Sequence, residues 1–588
     1  MKNKIKTNDD NFRLSSVVRE SVKGFIWSIK EINNCEVEKL SEKFSIDELF
    51  ANILVSREVN SENYKDFNEP KLKNILPNPS SIKDVDDSTK LIVEFIIKRK
   101  KIGLFGDYDV DGASSTALFG SFFKNLGVPF EYHIPDRIKE GYGPNIQAIE
   151  KLFDNGCELI ITLDCGTTSN KVIEHCLTKG IKIIVVDHHQ QIDELPNCLV
   201  VNPNRIDDDS KLNNLAAVGV TFLLLVSVNR CLKLKNFYKN LSQPNLIKFL
   251  DLVALGTICD IVQLDILNRA LVIQGIKVIN ETLNLGIKSL LSSSNLYSDI
   301  NEYHLGYIIG PKINAGGRVG NAKRGVELLL SNDISYSKFI SDELSDLNIK
   351  RQKIEKNVED LATIKVDKTE NILCVHGEGW HPGVIGIVAS RLTDKFSKPS
   401  IVISENDQIC KGSARSIGDF NIGDLISEAV QNGILEGGGG HKMAGGLSIQ
   451  KSKIKEFKDF IKSKTSKIKL IKKKHFDAYI TINIIDFSFY NKLQQLSPFG
   501  PKNRKPIFCF AKCFIKYPKL VGNNHVSCFL SDIYGNVVKA IAFKVFDNKI
   551  GKLLMDNNGK LLGIIGTVNE NKWNGQLSIQ IQIEDILV

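Results

Sequence analysis

No stretch of this 588-residue sequence approaches the ~20 uncharged apolar residues that cross a bilayer, so a membrane protein is not expected. The N-terminus, MKNKIKTNDD, has no apolar core and does not read as a secretory signal. The twelve cysteines include no C-x-x-C; Cys509 and Cys513 are the one close pair, and no His or Cys cluster completes a zinc site with them. Scattered thiols of that kind read as reduced and mostly buried, which places the protein in the cytoplasm. Long polar tracts are scarce, which argues against disorder, and no internal repeat is found. What remains is an ordinary globular composition, 42% hydrophobic and 25% charged. Such a length suits roughly three or four domains. Lys and Arg number 77 against 68 Asp and Glu, and the resulting +9 admits a polyanionic partner without demanding one.

Residues 1–75 read as a small N-terminal segment with a helix at 46–55, ended by the Pro/Asn-rich break LPNPSS. Residues 76–335 alternate between β-branched apolar runs (102–105, 159–163, 181–186) and helical stretches (114–126, 169–179), the pattern of a parallel α/β sheet. Over 336–366, Ile340, Leu344, Leu347, Ile354, Val358 and Leu361 recur at helical spacing, broken at Arg351. This reads as a long helix connecting two lobes and packed on one of them. A second α/β unit occupies 367–470, with strands at 372–375 and 401–403 and a glycine-rich end. The stretch 462–475, seven lysines and no acid, reads as a linker. Within 475–588, five alternating segments (479–484, 508–515, 526–530, 540–546 and 577–583) suit a small β-barrel.

The chemistry is expected where strands end. The run 102–105 leads into Asp107 and Asp109, 159–163 into Asp164, 181–186 into Asp187, His188 and His189, and 252–258, taken as a fourth strand, into Asp260. Loops at the carboxyl ends of neighbouring parallel strands meet in one crevice. So many carboxylates share a crevice only if cations neutralise them, and carboxylates with imidazole but no thiolate suit Mn²⁺ or Mg²⁺. Two such metals a few ångströms apart are suited to phosphoryl hydrolysis. Asp164 is the candidate to bridge them, and His189 to bond a phosphoryl oxygen or assist the leaving group. In the second lobe, the glycines before His441 would let backbone approach a phosphate, with Ser413 and Arg415 reaching the same anion.

The segments GDYDVDG (106–112), LDCGTT (163–168), VVDHH (185–189) and GTICDIV (256–262) resemble, in this order, the motifs of the DHH phosphoesterase superfamily. IPDRIKEGYG (134–143), GPKINAGGRVG (310–320), WHPGVIGIVASRL (380–392), KGSARS (411–416), GGGGHKMAGG (437–446) and SPFGPKNRKPIF (497–508) resemble the RecJ family of single-strand-specific exonucleases. The resemblance implies a DHH lobe and a DHHA1 lobe joined by the long helix, followed by an OB-fold barrel. It implies Asp107, Asp109, Asp164, His188 and Asp260 as metal ligands. Arg137, Tyr142, Arg318, Ser413, Arg415 and His441 become substrate-binding candidates. Digestion of single-stranded DNA from the 5′ end to 5′-mononucleotides in recombination and repair is implied as well, with a helicase and a single-strand-binding protein as partners. Phe105 stands where many superfamily members place a metal-binding His, so one metal is expected to be held more weakly. Two alternatives stay open: a DHH phosphodiesterase on short oligonucleotides or cyclic dinucleotides, and a non-catalytic replication scaffold.

Overall fold

The computed structural model describes residues 20–587 except 192–193, 282–283, 298, 407, 467–471, 557–558 and 574. In the first lobe, strands β1 (Ile102–Gly106), β2 (Phe130–His133), β3 (Leu159–Leu163), β4 (Lys182–Val186) and β5 (Leu199–Val201) form an all-parallel sheet in the order β2-β1-β3-β4-β5. Successive side chains enter two cores: Leu104, Ile161 and Ile184 face one, while Phe105, Ile160 and Val185 face the other. Both faces are covered, which is why β1, β3 and β4 read in sequence as unbroken apolar runs. The sequence reading misses β2, whose four residues are only half-buried and include Glu131 and His133, and β5, which is three residues long. The chain leaves β1 for one side and β3 for the other, so a crevice opens at their carboxyl ends.

The run 252–258 is not a strand. Leu250–Cys259 is a helix packed against Val110–Leu126 and Ala217–Leu234, and Leu250 to Thr257 are all buried. Burial on every side erases the 3.6-residue pattern that separates helix from strand. Among the described residues, Ala217–Leu234 is the one helix long and apolar enough to cross a membrane; 72% of it is buried inside this lobe.

Ile334–Ile364 is a single helix, about 46 Å long at 1.5 Å per residue. It belongs to both lobes and is not packed on one: Ile340 and Leu344 enter the first core, Val358 and Ala362 the second. Where the seam breaks, buried Arg351 pairs with Glu355 at 2.5 Å, and Glu355 accepts from Arg391 Nε at 3.1 Å on the helix Ile385–Phe396. The second lobe is a mixed sheet of β6 (Leu373–Gly377), β7 (Ser400–Ser404), β8 (Ile409–Arg415), β9 (Gly437–His441) and β10 (Ala444–Gln450), ordered β9-β10-β8-β7-β6. The four glycines therefore form an edge strand of this sheet. A Cβ on Gly440 would lie 2.3 Å from Ala444 O, and one on Gly438 would lie 2.8 Å from Gly446 O.

Strands β11 (Phe508–Val521), β12 (His525–Ser531), β13 (Val537–Ala542), β14 (Leu562–Trp573) and β15 (Gln576–Leu587) close a barrel through the β11–β14 pairing. The segment 479–484 contributes only a two-residue strand, Ala478–Tyr479, and a 3-10 turn at Ile482–Ile484; β14, polar in its second half, was not anticipated. The N-terminal segment packs Leu40, Phe50 and Ile53 into the barrel core beside Phe508 and Leu562. The lysine run is only partly a linker. It begins in the helix Ile454–Thr465 and ends in a strand, Lys473–Phe476, paired in parallel with Ile26–Ile29; its 467–471 portion lies outside the described residues.

One cation fastens the barrel to the first lobe. Arg269, 2% exposed, donates to Phe67 O at 3.0 Å, Leu496 O at 2.6 Å and Gln495 O at 2.9 Å, with its guanidinium 4.1 Å from the Phe67 ring centroid. Burial pushes its pKa down to about 10, so it stays charged at neutral pH. Arg269→Leu is expected to lower unfolding stability by about 2–4 kcal/mol, because three carbonyls lose a charged donor. Urea denaturation checks this, and Arg269→Lys should recover part of the loss.

Candidate active site

The crevice is assembled by backbone constraints local to each motif. Asp107 leaves β1 in a turn so tight that a Cβ on Gly112 would lie 2.6 Å from Asp107 N and O. Asp109 caps the following helix, accepting from Asp111 N at 2.9 Å and Gly112 N at 3.1 Å. Asp164, past β3, holds φ 63°. A non-glycine residue in the left-handed region is strained, and such strain collects at functional positions. Asp260 follows the C-terminus of its helix. His188 Nε2 lies 3.3 Å from Asp164 Oδ1, 3.5 Å from Asp260 Oδ2 and 3.9 Å from Asp111 Oδ2. One ligand atom from each of Asp107, Asp109 and Asp164 falls within 4.8 Å of the other two, and the same holds for Asp111, His188 and Asp260 and for Asp164, His188 and His189.

These groups do not satisfy one another. Asp107 Oδ1, Asp164 Oδ1 and His188 Nε2 are buried with no hydrogen-bond partner. Burial and neighbouring carboxylates push Asp107, Asp164 and Asp260 well above the usual carboxylate range. Burial pushes His188 down to about 4, leaving a neutral imidazole with a free lone pair. Those are the donors a hard divalent cation uses, and burial drives the nearby Cys165 and Cys259 thiols up, which keeps thiolates out of the set.

Asp187 plays a different part. Its Oδ1 accepts from His188 N at 2.7 Å and His189 Nδ1 at 2.7 Å, and its Oδ2 from Thr167 Oγ1 at 2.7 Å. Burial opposes its charge, but the His189 hydrogen bond and charge win and hold it below the usual range. Burial likewise opposes charge on His189, yet Asp187 lifts that imidazole to about 9. Tyr142 Oη sits 3.2 Å from His189 Nδ1 and 3.3 Å from Asp164 O.

The opposite wall is cationic. Arg137 lies 5.0 Å from the Tyr108 ring centroid, and Arg318 donates to Gly383 O of the second lobe at 3.0 Å. With Tyr142 and His189 these two line a cavity of 290 Å³ that includes Asp107 and Asp109. Arg415 bonds Ala414 O at 2.8 Å and lies within electrostatic reach of Arg137. Among the described residues, none of the three arginines is in a salt bridge. Ser413 and Arg415 share a sheet face with Gly446, Gly439 and His441 across β10 and β9. A Cβ on Gly439 or Gly446 would meet nothing within 4 Å, so this face is bare backbone. His441 stands at its far end, two strands or about 10 Å from Arg415, and is exposed.

Models of the DHH family, N-terminal domain, of the DHHA1 domain and of the RecJ OB domain match residues 101–257, 369–467 and 476–585. The single-stranded-DNA-specific exonuclease RecJ of Bacillus subtilis is 31% identical over 579 residues, 96% of this chain and 71% of that one. The chain belongs to the RecJ family. The RecJ of Escherichia coli K12 is also 31% identical, over 88% of this chain and 92% of its own. Thermus thermophilus RecJ in complex with Mn²⁺ superposes with a TM-score of 0.81 at 25% identity, covering 95% of this chain and 79% of that structure.

Within this RecJ-family chain the structure adds residues that sequence reasoning left out. Asp111, the third acid of GDYDVDG, accepts from Ala217 N at 2.7 Å and Val218 N at 2.9 Å, tying the first motif to a helix N-terminus. Its place in the motif was the available signal. Asn202, fully buried, donates to Thr167 Oγ1 at 2.9 Å and His189 O at 2.8 Å, and nothing in the sequence marks it. A second, basic cavity of 750 Å³ gathers Lys30, Arg57, Lys474, Lys502, Arg504 and Lys505 from three distant segments. Phe105 is buried and stacked on His133 at 5.4 Å. At a hundredfold excess over its dissociation constant, Mn²⁺ should stabilise the fold by about 2.7 kcal/mol. Thermal melting is expected to show that shift in wild type and Arg415→Ala, and to show none in Asp107→Ala or Asp164→Ala.

Proposed function

We propose that the protein is a divalent-metal-dependent exonuclease that hydrolyses single-stranded DNA from the 5′ end to 5′-mononucleotides, in recombination and repair. The observation that carries this reading is the pairing of two walls. Carboxylates and a neutral imidazole with unpartnered buried atoms face arginines that have no acid partner, in a chain of the RecJ family. Asp107, Asp109, Asp164, His188 and Asp260 are the proposed ligands of Mn²⁺ or Mg²⁺, with Asp164 between two sites. When bound, such ions supply Lewis acidity at the phosphoryl group and lower the pKa of water.

The chain's own groups do the rest. Arg137, Arg318 and Arg415, with Ser413, hold and orient the phosphate oxygens through charge-assisted bonds. Asp187 fixes His189 by its Nδ1 proton, which leaves Nε2 to bond the phosphoryl oxygen or to give a proton to the leaving oxygen. Thr167 and Asn202 hold Asp187 and the His189 carbonyl in place. The bare face that ends at His441 gives backbone-lined room beside Arg415. Lysines of the basic cavity meet the phosphates of the trailing strand. A cytoplasmic setting suits twelve cysteines that form no disulfide. A helicase and a single-strand-binding protein are proposed partners on the likeness to the RecJ family alone.

On a long strand labelled at one end, release is expected to start at the 5′ label and to require Mn²⁺ or Mg²⁺. Preference for a dinucleotide over that strand would instead favour the short-oligonucleotide phosphodiesterase reading. Asp164→Ala should lower kcat/KM by about 10³-fold, near 4 kcal/mol of transition-state stabilisation. Arg415→Ala should raise KM by about 10–100-fold through loss of one charge-assisted bond; steady-state kinetics on the labelled strand reads both.

A further inference from the structure

One continuous helical run carries two kinds of side chain. It consists of Glu302–His304, a π-helical stretch Leu305–Ile309, and Gly310–Val319. Its C-terminal end lines the crevice with Asn314, Gly317 and Arg318. Its N-terminal end presents Tyr303 and Tyr307, 58% and 74% exposed, with rings stacked at 5.1 Å and 25°. Tyr303 and Tyr307 share one face of the run, as their stacked rings show. The rise from Tyr307 to Asn314 is about 10 Å.

This run is fixed against the helix that ends in Asp260. Cys259 Sγ lies 3.6 Å from Leu305 O, and a Cβ on Gly306 would lie 3.3 Å from Ile258 Cγ2. Next to Asp260, Ile261 holds φ 61° and is 70% exposed. A β-branched residue in the left-handed region is a genuine outlier, and an exposed one gains no packing in return. Two residues further on, Gln263 lines the basic cavity. Segment 260–263 therefore runs from the carboxylate crevice to the lysines, and Leu305 and Gly306, between the two tyrosines, pack on Ile258 and Cys259 just before it.

We infer that Ile261, Tyr303 and Tyr307 form a stacking ramp for the bases of the single strand, between the carboxylate crevice and the basic cavity. This rests on the proposed reading of the crevice and adds how the strand behind the scissile phosphate is held. Every base has a π-face, so tyrosine rings grip a strand without regard to sequence, while the phosphates turn to the basic cavity. Glu302 is tied to the 497–499 segment, accepting from Phe499 N at 2.9 Å and Ser497 Oγ at 3.2 Å.

The test is steady-state hydrolysis of a long 5′-phosphorylated strand by the full chain with Mn²⁺. Tyr303→Ala/Tyr307→Ala is expected to raise KM about tenfold or more, with a much smaller change in kcat. Tyr303→Phe/Tyr307→Phe, which keeps both rings, should retain the wild-type KM. A 2-aminopurine placed at successive positions behind the 5′ end should be quenched at the ramp by wild type and not by the alanine variant. An unchanged KM in the alanine variant, or an equal rise in the phenylalanine variant, overturns the ramp and leaves the exonuclease reading standing. If the wild-type chain cleaves no single strand, both fall.

Discussion

The crevice depends on one electrostatic constraint: several carboxylates occupy a volume from which water is largely excluded. At 4 Å, two like charges repel by about 4 kcal/mol even at an effective dielectric of 20. The protein relieves this only in part with its own cations: His189 is committed to Asp187, and Arg137 and Arg318 line the cavity without a salt bridge to any of the acids. It holds the arrangement by backbone instead, through the left-handed Asp164, the glycine-only turn at Gly112 and the Asp109 cap. A fold that spends strain to keep negative groups together, and leaves Asp107 Oδ1, Asp164 Oδ1 and His188 Nε2 buried and unpartnered, is built for cations from outside.

The cationic wall depends on the lobes staying in register. Arg318 belongs to the first lobe, yet its guanidinium is oriented by a second-lobe carbonyl, Gly383 O. A Cβ on Gly383 would lie 2.3 Å from Arg318 O, so the two backbones touch and only glycine fits there. The connecting helix sets this contact by giving one half of its apolar seam to each core. Arg351 and Glu355, buried where the seam breaks, complete the helix and reach Arg391 of the second lobe. A buried ion pair contributes little net stability over apolar packing but is costly to break, so it suits a junction that must hold one geometry.

How much was legible in the sequence follows from how local each determinant is. The strand-end acids, the parallel lobe and the long helix announce themselves, because short β-branched runs and a 3.6-residue seam are local signals. The helix before Asp260 was misread because it is apolar on every side, and local pattern carries no information there. The glycine run is ambiguous in sequence for a related reason: four glycines state that backbones approach closely, not which backbones. Here β10 and the helix Ile422–Gln431 approach on one face, and the other face is bare. Asn202 and the two-sided role of Asp111 depend on partners far along the chain, so no reading of single motifs reaches them.

Net charge shows the same limit. The figure of +9 says nothing of where the charge lies. The lysines at 473–474 matter because their strand pairs with Ile26–Ile29 and so meets Lys502 and Lys505 around one cavity. Lys474 is held there over the Phe25 ring at 4.1 Å, and Lys505 is bonded to Asn569. A polyanion is therefore drawn toward this cavity and repelled by the carboxylates at the other end of segment 260–263. On the proposed reading, that field favours cations filling the crevice before a phosphate crosses from the basic side to the arginine wall.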